Sequence, residues 1–538
     1  MTTMSRNLLS LVRKIDIWMD YHLLLWISLI SMTVLRIPNF FEPYWYGDEG
    51  IYLTIGTALK NGGILYKTIV DHKTPLIYYL AMVPNLLTFR LLLLLWSAAS
   101  IVAFYFLLLK LFKGRLTRMC SMLGFVILTT VPWFEGHIAN GEQFVMGFVM
   151  LGLFGVSQTS FFEHFLKRTP YLGTFSRDGV FFFGSGLLFG LAILTKVPAL
   201  FDATVVAALL WFFAIGQLSA TKLQSKAIFS TLLPLLKLAV VFALGLLIPL
   251  ILSIAYFVSR GAGSDYLQFG LLYNFHYAGN WGLPFQNPIL VNLFTLPGKF
   301  GVVLAVMLGL SALHFFKRIT PVQLFITTWF FIALFASLLS NRPYPHYFLQ
   351  VVPPLILVSA SLFSSIFSLR IKKLSFITAV TLGTSLLSVG FFIAVIFLLK
   401  VGFYASGKYY YHFYQLSTRQ ITFDQYRDTF NYLLKDNYEV SPVIKMAGDK
   451  NLFIWGTNPM LYALSETVPV GKFTVAFHIK DLGAYDETLA SVQAQPPEFI
   501  VIMNEDADTF PALTSWVAQH YIPNHTYQHF KLWKRTSL

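Results

Sequence analysis

The sequence predicts a polytopic α-helical membrane protein with a small α/β domain at its C-terminus. Three observations predict it. Apolar runs long enough to cross a bilayer core recur through the first 400 of the 538 residues. Only 12% of residues are charged and 56% are hydrophobic, with a mean hydropathy of +0.64. Residues 401–538 are instead mixed, polar and punctuated by turns. The expected division is therefore 1–400 in the membrane and 401–538 outside it.

Charge divides the same way. Residues 401–538 hold 11 Lys+Arg and 13 Asp+Glu, while the rest of the chain is strongly basic. Positive charges lying between apolar runs report membrane topology and give no reason to expect nucleic acid as a partner. The single Cys120 excludes an intrachain disulfide framework. The first apolar run is long and lacks a clear small-residue cleavage site, so no cleavable signal peptide is expected.

About eleven spans are expected, at 22–38, 90–111, 118–133, 143–160, 179–195, 198–216, 237–258, 297–315, 322–340, 347–368 and 375–399. Basic residues mark every second loop: Arg6, Arg13 and Lys14, then Lys113, Arg115 and Arg118, then Lys167, Arg168 and Arg177. Lys222 with Lys226, Lys317 with Arg318, and Arg370 with Lys372 and Lys373 complete the series. This alternation predicts a cytoplasmic N-terminus and, with an odd span count, an extracytoplasmic 401–538 domain. The lack of an endoplasmic-reticulum retrieval signal fits a bacterial-type plasma (inner) membrane. In that domain Asn451–Trp455 and Glu498–Met503 read as strands, Met460–Ser465 as a helix start and Asp424–Leu434 as an amphipathic helix.

The opposite loops carry Glu42, Asp48, Glu49, Asp71, Glu135, Glu142 and Asp265, with Asp202 just below: eight of the twelve acids in the first 400 residues. His72, Lys73, His137, Asn140, Lys196, His276, Arg342 and His346 share that face. A missing basic bias accounts for few Lys and Arg there, but not for acids clustering with His and Lys. An active site at the outer membrane surface is the reading this favours.

Asp48-Glu49 follows the first apolar run within Tyr44-Trp45-Tyr46-Gly47-Asp48-Glu49-Gly50. An adjacent acid pair is either solvated decoration or, at this place, a carboxylate able to take a proton from an attacking hydroxyl. Lys196 at the end of the fifth span either snorkels to the interface or balances a lipid-linked phosphate. The Arg342 guanidinium suits a bidentate phosphate contact. His137 beside Glu135 and Glu142 is compatible with a divalent metal, but the spacing matches no strong signature, and a hydrogen-bonding scaffold is the alternative. The 53 Phe and 27 Tyr are a membrane-protein trait rather than a sugar platform.

In order along the chain, these residues resemble the GT-C superfamily of membrane glycosyltransferases, of the dolichyl-phosphate-mannose protein mannosyltransferase and aminoarabinose transferase (ArnT-like) type. Asp48-Glu49 is similar to that family's first-loop acidic motif. Asn61-Gly62-Gly63-Ile64-Leu65-Tyr66 through Asp71-His72-Lys73-Thr74-Pro75-Leu76 resembles its G-x-x-x-Y … D-x-K-P-P-L stretch, with Thr74 replacing the first Pro. Ala139–Glu142, Gly190–Pro198, Arg342–Tyr347 and the run from Phe453 to Tyr462 resemble later motifs. The resemblance implies a polyprenyl-phosphate-linked sugar donor and an inverting single displacement onto a protein, lipid or glycan hydroxyl. Asp48 would be the general base, and Glu49 would position the acceptor or support Asp48. Lys196, Arg342, Lys73 and His346 would meet the lipid phosphate, and Tyr66, Asp71, His72, His137, Asn140 and Glu142 would shape the substrate pocket. Metal dependence differs among family members, so a divalent metal stays open. The rival readings are a secondary transporter with charges along a midplane path and a non-catalytic membrane scaffold.

Overall fold

The computed structural model describes residues 22–171, 175–220, 225–279, 281–369 and 375–536. Arg6, Arg13, Lys14, Lys222, Arg370, Lys372 and Lys373, used above for topology, lie outside them, as does the side chain of Lys226. The first half contains α1 (His22–Phe41), α2 (Gly47–Lys60), α3 (Leu76–Leu80), α4 (Leu86–Leu111), α5 (Arg115–Thr130), α6 (Gly141–Ser157), α7 (Ser160–Lys167), α8 (Phe175–Thr195), α9 (Ala199–Ala220) and α10 (Ser225–Ser259). The second half continues with α11 (Leu296–Phe315), α12 (Pro321–Ser337), α13 (Val352–Leu369) and α14 (Phe376–Leu398).

Each of the eleven expected spans falls on one of these helices. Among the described residues, eight helices are long and apolar enough to cross a membrane. A ninth arises only if α6 and α7, bent by 76° to one another, form one span. The bend has a local cause. Asp178 on α8 accepts hydrogen bonds from the backbone N–H of Ser160 and Phe161, both at 2.9 Å, so α7 starts afresh with its own cap. α12 has 17 residues and α5 has 16, and every residue of α12 from Gln323 to Ser337 is buried.

The helices pack through small residues where backbones approach, as expected when lipid offers no hydrophobic drive. α8 lies against α10 and α6. A Cβ on Gly245 of α10 would sit 2.2 Å from the Phe183 carbonyl oxygen of α8. Pro249, one turn later, cannot donate to the Gly245 carbonyl, which loosens α10 at this crossing.

The acidic pair expected in a loop stands on a helix. The 39–89 segment folds into α2 and α3, with the turn at Asn61-Gly62-Gly63 closed by Gly62 at φ 91°. Asp48 and Glu49 occupy the first turn of α2, where acids complement the helix dipole.

Beyond residue 400 the chain forms a five-stranded sheet flanked by helices. It comprises α15 (Leu434–Ala447), β1 (Asn451–Trp455), α16 (Pro459–Ser465), β2 (Val468–Pro469), α17 (Ala476–Leu482), β3 (Phe499–Met503), β4 (Tyr521–Thr526) and β5 (Phe530–Arg535). Strand order is β2-β1-β3-β5-β4. β1 is parallel to β2 and β3, and β5 is antiparallel to β3 and β4. β3 is buried throughout, which explains its unbroken apolar run. The helix expected at 424–434 is interrupted. A capping box at Thr422 starts a short helix, Phe423–Arg427, and the Asn431 side chain then accepts from Leu433 N–H at 2.9 Å before α15 begins.

This C-terminal segment does not hang free. Its Trp455, Phe473, Ala476 and Ile479 share one apolar core with Tyr52, Tyr66, Val70 and Tyr78. Val70 N–H also donates to the Lys472 carbonyl at 2.7 Å. A Cβ on Gly50 would lie 2.8 Å from Met460 N, so α2 and α16 touch backbone to backbone.

The Gly245 crossing yields a test. Gly245→Ala should cost about 1–3 kcal/mol of stability and lower the thermal midpoint in detergent. Gly301→Ala, where a Cβ meets nothing within 4 Å, should not. Equal midpoints for the two variants would contradict the close α8–α10 contact.

Candidate active site

The site grows from the two acids that open α2. Their side chains leave a helix roughly 100° apart, and the fold uses them differently. Glu49 turns inward. Its Oε2 accepts from Arg90 Nη2 at 2.8 Å, and its Oε1 accepts from Arg90 Nε at 3.4 Å and from Ala139 N–H at 3.1 Å. Arg90 also lies 3.4 Å from Glu42 and donates to the Asn39 and Glu42 carbonyls at 2.8 and 3.0 Å. A guanidinium inside α4 is tolerable only because two carboxylates and two carbonyls satisfy it.

Asp48 turns the other way, toward Lys73, whose Nζ lies 3.3 Å from Oδ1, while Tyr52 donates its hydroxyl to Oδ2 at 3.2 Å. Its side chain is 27% exposed, against 1–4% for Asp71, Glu49, Glu135 and Glu142. Burial opposes its charge. Lys73, His346 and Lys196 outweigh burial and the repulsion of Asp71, and hold its carboxyl below the usual aspartate range. Burial likewise disfavours the Lys73 ammonium, but Asp48, Tyr52 and Asp71 keep it well above the ordinary lysine value.

Lys73 is set by the loop before α3. Tyr66, in the left-handed region at φ 69°, is fully buried and donates its hydroxyl to the Lys73 carbonyl at 2.7 Å. It therefore shapes the loop from behind rather than lining an open pocket. Thr74, where proline was expected, donates to the Ile193 carbonyl at 3.0 Å and ties this loop to the end of α8, just before Lys196. Asp71 and His72 lie beside Lys73, with Asp71 Oδ2 3.8 Å from the ammonium.

A second group assembles on α6, α8 and the turn before α13. Lys196 is hydrogen-bonded to Glu142 and sits 4.0 Å over the Tyr347 ring. His346 Nδ1 lies 2.6 Å from Glu135, and its Nε2 lies 3.9 Å from Glu142. Glu135 is in the left-handed region at φ 57° and also accepts from the Tyr46 hydroxyl and from Asn140 Nδ2, the latter at 3.3 Å. Arg342 stands over the rings of Tyr277 and Trp281 at 3.7 and 4.8 Å. Among the described residues, no carboxylate lies within ion-pair distance of it. Lys299 holds this strand, donating to the Leu338 carbonyl at 2.6 Å and to Asn341 Oδ1 at 3.1 Å.

His137 stays apart. Its Nε2 faces Glu42 at 3.8 Å, and burial reinforced by Arg90 pushes the imidazole down to about 3, so it is neutral. Arg36, buried on α1, donates to the carbonyls of Thr129, Gly136 and His137 and so fixes the loop that carries it. Glu135 and Glu142 turn to His346 and Lys196 instead. The metal set considered around His137 is therefore not assembled among the described residues.

The structure thus brings together Asp48, Asp71, His72 and Lys73 on one side and Asn140, Glu142, Lys196 and His346 on the other, with Arg342 at the aromatic edge. Glu49, Tyr66 and His137 lie behind them. Sequence reasoning missed Arg90, Tyr46, Tyr277, Tyr347 and His478. Arg90 was detectable as a lone cation in an apolar run, whereas the tyrosines were lost among 27 of their kind.

Comparison with known proteins bears on the fold. No family model matches the sequence, and no curated protein matches it. Solved structures do. ArnT from Cupriavidus metallidurans bound to undecaprenyl phosphate aligns with a TM-score of 0.53 at 12% identity, covering 96% of this chain and 98% of that chain. The apo state of the same enzyme gives 0.51 at 12% identity, covering 94% and 97%. The Archaeoglobus fulgidus oligosaccharyltransferase AglB in complex with an inhibitory peptide and a dolichol-phosphate gives 0.45 at 12%, covering 97% and 75%. Over 96% of its length, this chain shares the fold of the ArnT structure.

Proposed function

We propose that this protein is a membrane glycosyltransferase that moves a sugar from a polyprenyl-phosphate carrier to an acceptor hydroxyl, with Asp48 as the general base. The observation that carries this is the contrast within the cluster. Five carboxylates converge, and only Asp48 combines a partly exposed side chain with surroundings that keep it ionised. An ionised carboxylate beside a substrate cleft is what proton removal from a hydroxyl requires. The ArnT neighbour was solved with undecaprenyl phosphate bound, which supports a lipid-phosphate donor for the shared fold.

The chemistry follows from the charges. Asp48 takes the acceptor proton as the acceptor oxygen bonds to the anomeric carbon. The bond from that carbon to the lipid phosphate breaks with inversion, and the phosphate leaves with one more negative charge. Lys196, Arg342, Lys73 and His346 meet that charge, in a setting where fixed cations are worth far more than in water. Glu49, fixed by Arg90, positions Asp48. Asp71, His72, Asn140 and Glu142 border the sugar, while Tyr66 and His137 support the loops behind. In this reading residues 1–400 are the catalytic membrane part, in a bacterial-type inner membrane with the N-terminus cytoplasmic, and residues 401–538 cover the site from outside.

Purified protein in nanodiscs, given radiolabelled polyprenyl-phosphate sugars, should release free polyprenyl phosphate with one donor. Asp48→Asn should reduce that release by about 10²-fold or more with folding unchanged. Release that is equal in the variant would remove Asp48 as the base.

The pH profile gives a second test. Asp48 is held below its ordinary value of about 3.9, so it is deprotonated throughout the neutral range. Activity should fall only as pH drops through that lowered value. Lys73→Met removes the strongest charge favouring ionisation and leaves the burial cost, so the acid limb should move to higher pH. An unmoved limb would mean that another group titrates there.

A further inference from the structure

The loop that positions Lys73 meets the C-terminal domain at a cluster in which Asp71 and His72, given above only the role of bordering the sugar, are joined by His478. His478 comes from α17, and its Nε2 lies 3.1 Å from His72 Nδ1 across 406 residues of sequence. Asp71 Oδ1 lies 2.9 Å from that His72 Nδ1 and 3.3 Å from that His478 Nε2. Three ligand-type atoms thus form a triangle with edges of 2.9, 3.1 and 3.3 Å. Among the described residues, this is the one grouping of three or more such side chains close enough to share an ion.

We propose that Asp71, His72 and His478 bind a divalent metal ion of the zinc class. A tetrahedral ion with bonds of about 2.0–2.1 Å places its ligands roughly 3.3 Å apart, close to the edges seen. Two imidazoles and one carboxylate suit zinc and its first-row neighbours rather than calcium or magnesium.

The atoms around the triangle are arranged as a metal site needs. Asp71 Oδ1 is buried and accepts no hydrogen bond of good geometry, while Oδ2 is fixed by the Tyr78 hydroxyl at 2.6 Å. His72 is held by its ring stacked on Tyr277 at 4.5 Å and by Asn274 Nδ2 donating to its carbonyl at 2.8 Å. Outer contacts of this kind orient ligands toward an ion. The His72 side chain is partly exposed, which leaves room for water in a fourth position. The ion would clamp α17 to the residue that precedes Lys73, so its role is to position Lys73 and not to take part in the transfer.

The metal is measured directly, without the proposed reaction. Full-length protein in nanodiscs is incubated with Zn²⁺, desalted and analysed for metal, and in parallel loaded with Co²⁺ for its visible spectrum. The proposal expects about one Zn²⁺ per chain and the intense bands of a tetrahedral Co²⁺ ion in the wild type. His72→Gln and His478→Gln should lose most of the metal, and His525→Ala, on the exposed strand β4, should keep it. Two results overturn the proposal. One is wild-type protein that elutes without metal and gives no tetrahedral Co²⁺ spectrum, which would leave a shared proton in the triangle. The other is folded His478→Gln protein that retains as much zinc as the wild type.

Discussion

The buried pairing of Arg90 with Glu49 and Glu42 is the constraint on which the site depends. A guanidinium in an apolar helix is costly unless fully paired, and its 2.8 Å contact to Glu49 fixes the first turn of α2. Once Glu49 is held inward, the helical rotation turns its neighbour Asp48 outward toward Lys73. The Asp-Glu dipeptide is thus a divided unit, with one acid serving as anchor and the other left for chemistry. The Gly50–Met460 contact, one residue further on, brings the C-terminal domain against the same turn.

Charge balance governs the rest. Glu142 is paired with Lys196, Glu135 with His346 and Asp48 with Lys73. Arg342 differs, being held by the Tyr277 and Trp281 rings and by the Tyr277 carbonyl at 3.3 Å, while its buried Nε has no hydrogen-bond partner. A cation held by aromatic faces keeps its charge available to an incoming anion. In the proposed reaction Arg342 would join Lys196 and Lys73 in meeting the phosphate.

Much of this was legible in the sequence. Every expected span lies on a helix, because apolar runs of that length have few other stable states. The strands Asn451–Trp455 and Phe499–Met503 were marked by apolar runs between turn residues. Asp48, Lys73, Lys196 and His346 were marked by being charged or titratable in a chain that has few such residues. What was not legible depends on three-dimensional approach. Nothing local in His478 announces that it reaches His72. Nothing in Glu49 distinguishes it from Asp48 until Arg90 is seen to take it. The bend between α6 and α7 was not legible, because it depends on a distant Asp178 that accepts from Ser160 N–H.

The most direct test is where the lipid phosphate binds. A cryo-electron microscopy structure of the full-length protein in nanodiscs with undecaprenyl phosphate would locate it. The account predicts phosphate density within hydrogen-bond distance of Arg342 or Lys196, on the exposed side of Asp48. Density that is remote from these cations and from Asp48 would contradict it.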